Sequence, residues 1–191
     1  MFKQLFVLLF KIIVEPAPTW KRLSEKEDKE NENFYKSYLF PVAGIIVLLS
    51  FAGVLITYSF DVHVLQQAMK TVVKQMVVYG GSFYILSCTL SNFVFPRFNL
   101  PKDKLRAEKF TGYTSAFIYV VAMVKALFPV LFLLELLTLY TGYILWAGAT
   151  HFLKINGNLI LKFTIFAGII ILLTPFLLNL LMGLLMPGMK I

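Results

Sequence analysis

Between Lys109 and His151 the chain reads KFTGYTSAFIYVVAMVKALFPVLFLLELLTLYTGYILWAGATH, and inside that stretch only Lys125 and Glu135 carry full charges. One bilayer crossing takes ~20 residues, so the stretch is too long for one span and long enough for two. Pro129 sits near its middle, between Phe128 and Val130. The pattern predicts a helical hairpin that turns at Phe128–Pro129, with Lys125 and Glu135 on its two arms. The other apolar segments are expected to pack around it, as in a polytopic membrane protein.

Composition points the same way. Of the 191 residues 59% are hydrophobic, and the mean hydropathy is +0.78. A soluble domain is about 45–50% apolar. Lipid must therefore be the solvent for much of this surface. Apolar runs of helix length exclude an outer-membrane barrel, whose strands would alternate over ~10-residue segments. The net charge of +8 is first a topology signal, since the basic residues lie in short loops between spans. That placement makes nucleic acid a poor candidate partner. The single cysteine, Cys88, lies inside a predicted span, which excludes an intramolecular disulfide and a cysteine-based metal site.

Taken in order, Met1 to Val14 is apolar but short. Lys3, Gln4, Lys11 and Glu15 fall within about a third of a helical wheel, which suits an amphipathic helix lying in the interface. Lys11 interrupts the run and no small-residue cleavage site follows, against a signal peptide. Pro16 and Pro18 are expected to break the helix, and Trp20 to anchor at the interface. Lys21 to Asn33 is dense in both charge signs and predicts a solvated polar helix, with Glu25 and Lys29 at i,i+4.

Ser37 to Phe60 contains no charge and is the first predicted span, with Pro41 in its first turn and Gly44, Gly53 and Thr57 as small contact surfaces. Asp61 and His63 make a short loop. The second span runs from Ala68 to Phe95. Its polar face is expected to comprise Ser87, Ser91 and Asn92, as a packing seam or, alternatively, a substrate path. Pro96 to Glu108 is a basic loop, the hairpin follows, and Asn156-Gly157 marks a turn. Phe163 to Met186 is the last span, with Pro175 as a kink. Five spans result. Of the 18 Lys and Arg residues, all but Lys70, Lys74, Lys125 and Lys190 fall on one side of this arrangement. The positive-inside rule then puts the N-terminus in the cytoplasm and the C-terminus outside. Four spans with one re-entrant hairpin is the main competing topology.

Intramembrane charges are costly and usually paired or functional. Lys125 and Glu135 are four residues before and six after Pro129, hence near one another in depth and expected to clasp the hairpin. Enzyme signatures are missing. No H-E-x-x-H or G-x-S-x-G occurs, His63 and His151 are predicted on opposite sides, and the aspartates Asp28, Asp61 and Asp103 lie outside the spans. No cofactor or metal is expected. Tyr35, Tyr38, Tyr58, Tyr113, Tyr140, Tyr143 and Trp146 gather toward predicted span ends, as interfacial aromatic belts do.

Four segments carry a resemblance: E-P-A-P-T-W-K-R-L (Glu15 to Leu23), F-P-V-A-G (Phe40 to Gly44), K-F-T-G-Y-T-S-A (Lys109 to Ala116) and L-Y-T-G-Y-I-L-W-A-G (Leu139 to Gly148). In their order and spacing they resemble bacterial members of the Yip-domain family, the Ypt/Rab-interacting membrane proteins. The resemblance implies a cytoplasmic N-terminus and about five membrane helices. In eukaryotes that family is associated with Rab GTPases and vesicle trafficking. It carries Pro41, Gly44, Gly112 and Tyr113 across as helix-packing positions.

The expectation is an all-α membrane protein. Residues 1–35 would form a short interfacial amphipathic helix and a charged cytoplasmic linker, and residues 36–191 a bundle of five transmembrane helices. In the bacterial cytoplasmic (inner) membrane it would act without enzymatic chemistry, organising protein partners or lipids, with a homo-oligomer possible in a bundle this thin. The alternative is a small transporter or channel component working through Lys125, Glu135 and the second span's polar face.

Overall fold

The computed structural model describes residues 2–26, 34–58, 61–128, 130–131, 133–155 and 157–186. These are helical nearly throughout, and no strand occurs among them. Three helices are long and apolar enough to cross a membrane, and a fourth results if one bent pair counts as a single span. Exposed residues of such a chain are those uncovered by protein, whether they face lipid or water.

Two short helices come first, α1 (Phe2–Val14) and α2 (Pro16–Lys26). Pro16 and Pro18 do not make the extended break expected of them. Pro16 opens α2, where its missing N–H would have lacked an intrahelical partner anyway and its fixed φ suits a helix start. The join is tied by Thr19, whose hydroxyl donates to the Lys11 carbonyl at 3.1 Å, and by Tyr140, whose hydroxyl donates to the Ile13 carbonyl at 2.8 Å. Both acceptors lie in the last turn of α1, and the Lys11 carbonyl also accepts from the Glu15 N–H at 2.9 Å. The charged segment expected to continue to Asn33 is helical to Lys26, and Lys29 lies outside the described residues.

The first long helix, α3 (Tyr35–Thr57), opens with a π-turn over Tyr35–Leu39, in which the Phe40 N–H reaches back to the Tyr35 carbonyl. Pro41 follows inside the helix rather than at its start, and the wide turn ahead of it accommodates the ring. Tyr38, Val42, Ile46, Ser50, Gly53 and Val54 are buried, a stripe at helical spacing. Asp61 accepts from the Val62 N–H at 2.6 Å and starts α4 (Val62–Arg97), so His63 is helical and not in a loop.

At ~1.5 Å per residue, the 36 residues of α4 exceed the ~30 Å hydrocarbon core. Its first part, Val62–Gln75, carries Gln66, Gln67, Lys70 and Lys74, and buries only Ala68. The apolar part begins at Met76. The last long helix, α9 (Gly157–Leu185), runs through Pro175 as one helix. Whereas α3 packs along Val62–Gln75, α9 packs along Met76–Thr89. α4 is thus an axis with its two apolar partners staggered along it.

The predicted hairpin arms are both interrupted. The first is α5 (Lys104–Thr114) followed by α6 (Ala116–Leu127), bent by 46° at Ser115. The second is a short turn α7 (Leu134–Leu137), a 3-10 turn at Thr138–Tyr140, and α8 (Thr141–His151). Phe128 ends α6, while Pro129 lies outside the described residues. α8 closes with Lys154 in the left-handed region (φ 55°) and the Ile155 N–H bonded to the Ala149 carbonyl at 3.1 Å. This is a Schellman ending, and Asn156, the expected turn residue, lies outside the described residues.

The core sits where α2, α5 and α8 meet. Trp20 is fully buried, with its ring centroid 5.5 Å from Phe110, 5.3 Å from Phe152 and 6.0 Å from Tyr113. Its indole N–H donates to the Ile144 carbonyl at 3.0 Å. Trp20 is therefore no interface anchor. Beside it the rings of Phe34, Tyr38 and Tyr113 pack within 4.8–5.7 Å of one another, two of the three pairs edge-on, so Tyr38 and Tyr113 also leave the expected aromatic belt. Leu5, Leu9, Ile12, Trp20 and Phe34 belong to the same buried cluster as Phe110 and Phe163. Packing accordingly runs across residue 35, where a boundary between segments was expected.

Candidate functional site

Lys125 and Glu135 meet. The Lys125 ammonium donates to the Glu135 carboxylate, joining the last turn of α6 to α7. Their side chains are 28% and 63% exposed, so the pair is a partly uncovered link between the two elements.

The expected polar face of α4 divides. Ser87 and Ser91 are buried, and the Ser87 hydroxyl donates to the Phe83 carbonyl one turn back. Asn92 is exposed, because it follows Ser91 by one residue and hence ~100° around the helix. The three side chains do not share a face.

Of the packing positions, Gly112 and Tyr113 lie in the core. A β-carbon at Gly112 would come within 2.6 Å of the Phe34 ring. Gly44 is exposed, and among the described residues nothing lies within 4 Å of such an atom. Pro41 is half-buried. The close approaches belong instead to Gly53, where a β-carbon would overlap the Ala126 carbonyl oxygen, and to Gly148, where it would meet the Trp20 ring at 2.8 Å.

The feature that residue patterns did not indicate is a groove of about 380 Å³ between α3, α4 and α5. Tyr35, Phe40, Tyr79, Phe83, Tyr84 and Tyr119 give it aromatic walls. Its polar end is Glu108, itself buried, whose carboxylate lies 3.8 Å from the Lys104 ammonium and hydrogen-bonds Tyr35. The ammonium also stands over the Tyr84 ring, 5.9 Å from its centroid. The Lys104 side chain is 63% exposed, so solvent screens both its ion pair and its contact with the ring.

Local sequence explains how α5 carries Glu108 there. Asp103 caps the helix, accepting from the Arg106 N–H at 3.0 Å. Arg106 reaches the Phe152 carbonyl at 2.7 Å and covers the Phe152 ring, binding α5 to the end of α8. The Asp103 cap and the Lys104/Glu108 spacing of i,i+4 were the available signals. They fall in a segment whose charge and prolines mark it as a loop.

The break at Ser115 is the second chemically unusual place. All residues from Ala107 to Thr114 are buried although the segment is polar. The Tyr38 hydroxyl donates to the Gly112 carbonyl at 3.0 Å, which satisfies an acceptor in the last turn of α5. The hydroxyls of Thr111, Thr114 and Thr141 are buried without a hydrogen-bond partner among the described residues. Among the described residues, no group of His, Cys, Asp and Glu has a metal-binding arrangement. Compared with protein-family models, with curated proteins and with solved structures, the chain matches none of them.

Proposed function

We propose that this chain is a non-enzymatic, multi-pass membrane protein of the bacterial cytoplasmic membrane that organises protein partners or lipids, like the Yip-domain family it resembles in sequence. In this reading α3, α4 and α9 are three of five crossings, the bent pair α5–α6 is the fourth, and the segment from Leu134 to His151 is the fifth. The N-terminus is cytoplasmic and α1 lies in the interface. The observation that carries the reading is the aromatic groove on the outside of a filled core. Where α2, α5 and α8 meet, rings pack ring to ring around Trp20. The concavity between α3, α4 and α5 remains open at the side, as a surface that receives another molecule does.

Photo-crosslinking from Ala43 or Tyr84, on the groove wall, followed by pull-down from native membranes in mild detergent, tests this. A reproducible protein or lipid adduct at the groove, lost on Tyr84→Ala when the crosslinker is at Ala43, is the expected result. Purified protein in liposomes that moves a solute, with that movement lost on Lys125→Ala or Glu135→Ala, sinks it.

One observation favours the alternative, a small transporter or channel component. A span broken at mid-length, with the hydroxyls of Thr111 and Thr114 buried beside the break without a hydrogen-bond partner among the described residues, is how membrane carriers build binding sites from discontinuous helices.

A further inference from the structure

The first two helices form a second concavity, of about 350 Å³, between α1 and α2. Lys3, Lys11 and Arg22 stand on its rim, and Val7, Leu8 and Leu23 form its apolar lining. Among the described residues no acidic side chain lines it and no ion pair engages any of the three cations. Glu15 and Glu25 are the nearest carboxylates in sequence, and both are exposed outside the pocket. Three exposed cations around an apolar lining make a surface complementary to an anion with a hydrocarbon part.

The surroundings specify the source of that anion. α1 has three faces. Leu5, Leu9 and Ile12 are buried against the bundle. Phe2, Phe6 and Phe10, at i,i+4 spacing, are 59%, 51% and 65% exposed. The pocket stripe of Lys3, Val7 and Lys11 lies beside those rings. A row of uncovered phenylalanines next to a row of cations is the pattern of a helix lying in an anionic membrane surface. A headgroup reaching the pocket would carry its acyl chains past the phenylalanines into lipid.

We infer that the α1–α2 pocket holds the phosphate of an anionic phospholipid between Lys3, Lys11 and Arg22, with the glycerol and upper acyl chain on Val7, Leu8 and Leu23. Arg22 supplies the planar, bidentate phosphate contact, and the two lysines supply point charges on either side. This site is separate from the aromatic groove, so its failure leaves the groove reading standing.

The test uses the full chain in mild detergent and counts bound lipid by native mass spectrometry. Phosphatidylglycerol binds at least tenfold more tightly than phosphatidylcholine, and soluble glycerol 3-phosphate at least a hundredfold more weakly than phosphatidylglycerol. The double variant Lys11→Gln/Arg22→Gln loses at least tenfold in phosphatidylglycerol affinity. Lys36→Gln/Lys102→Gln, which removes two exposed cations elsewhere, stays within twofold. Should the first variant fail to fold, Val7→Glu places a negative charge on an exposed pocket position and abolishes binding in a folded protein. Equal binding of the two lipids overturns the inference, as does equal loss in the Lys36/Lys102 variant. Glycerol 3-phosphate binding as tightly as the lipid overturns the assignment to a membrane lipid.

Discussion

A β-carbon at Gly148 would lie 2.8 Å from the Trp20 ring and 2.9 Å from Phe110, and at Gly53 it would overlap the backbone carbonyl of Ala126. Neither neighbour yields easily, since one is a pair of packed rings and the other a helix backbone. Gly148→Ala should therefore destabilise the protein by about 1–3 kcal/mol through overpacking, and Gly53→Ala by at least as much. Gly44→Ala, in open space, should be neutral or gain up to ~1 kcal/mol of helix propensity. Thermal unfolding in detergent orders the three, and a Gly148→Ala protein as stable as the parent would refute the packing account. In sequence these glycines are alike, because helical spacing says which residues share a face but not which face is covered. Trp20 shows the same ambiguity. A tryptophan between Pro18 and Lys21, beside an apolar helix, has the local pattern of an interfacial residue, and its seat is made by residues distant in sequence, among them Phe110, the Ile144 carbonyl and Gly148.

The helices were easier to read than their neighbours. A charge-free run such as Ser37 to Phe60 can satisfy its backbone in lipid only as a helix, and the structure has α3 there. Register was not readable. Nothing local tells α3 to pack on Val62–Gln75 and α9 on Met76–Thr89, because both are apolar on all sides and membrane helices select partners by shape. The hairpin arms depart from the expected form because α5 is polar yet enclosed, and its Glu108, one turn from Lys104, meets Tyr35 only through tertiary packing. The Lys125–Glu135 link between α6 and α7 can be measured directly. With both side chains partly uncovered at the bundle end, a double-mutant cycle with Lys125→Met and Glu135→Gln should give a coupling of about 0.2–1 kcal/mol. A coupling of several kcal/mol would place the pair in a dry, lipid-like setting instead.

Across the whole molecule, the N-terminal helices are structural parts of the bundle. Leu5, Leu9, Ile12 and Trp20 close one side of the cluster that Phe110, Ile144 and Phe163 fill from the other. Deleting residues 2–26 should leave a protein that does not remain monodisperse in mild detergent, as size-exclusion chromatography would show. A monodisperse truncation that melts like the parent would mean that the cluster closes without Trp20. The separation between Trp20 and its hydrogen-bond acceptor Ile144 is 124 residues, and that interval also has a meaning in time. A ribosome adds about 5–20 residues per second, so roughly 6–25 s pass between the synthesis of the indole and that of its acceptor. Throughout that interval the indole N–H lacks its acceptor and the ring lacks Phe152, and the last apolar helix has yet to be made. The seat of Trp20 is therefore completed late and at long range, when Ile144 and Gly148 arrive.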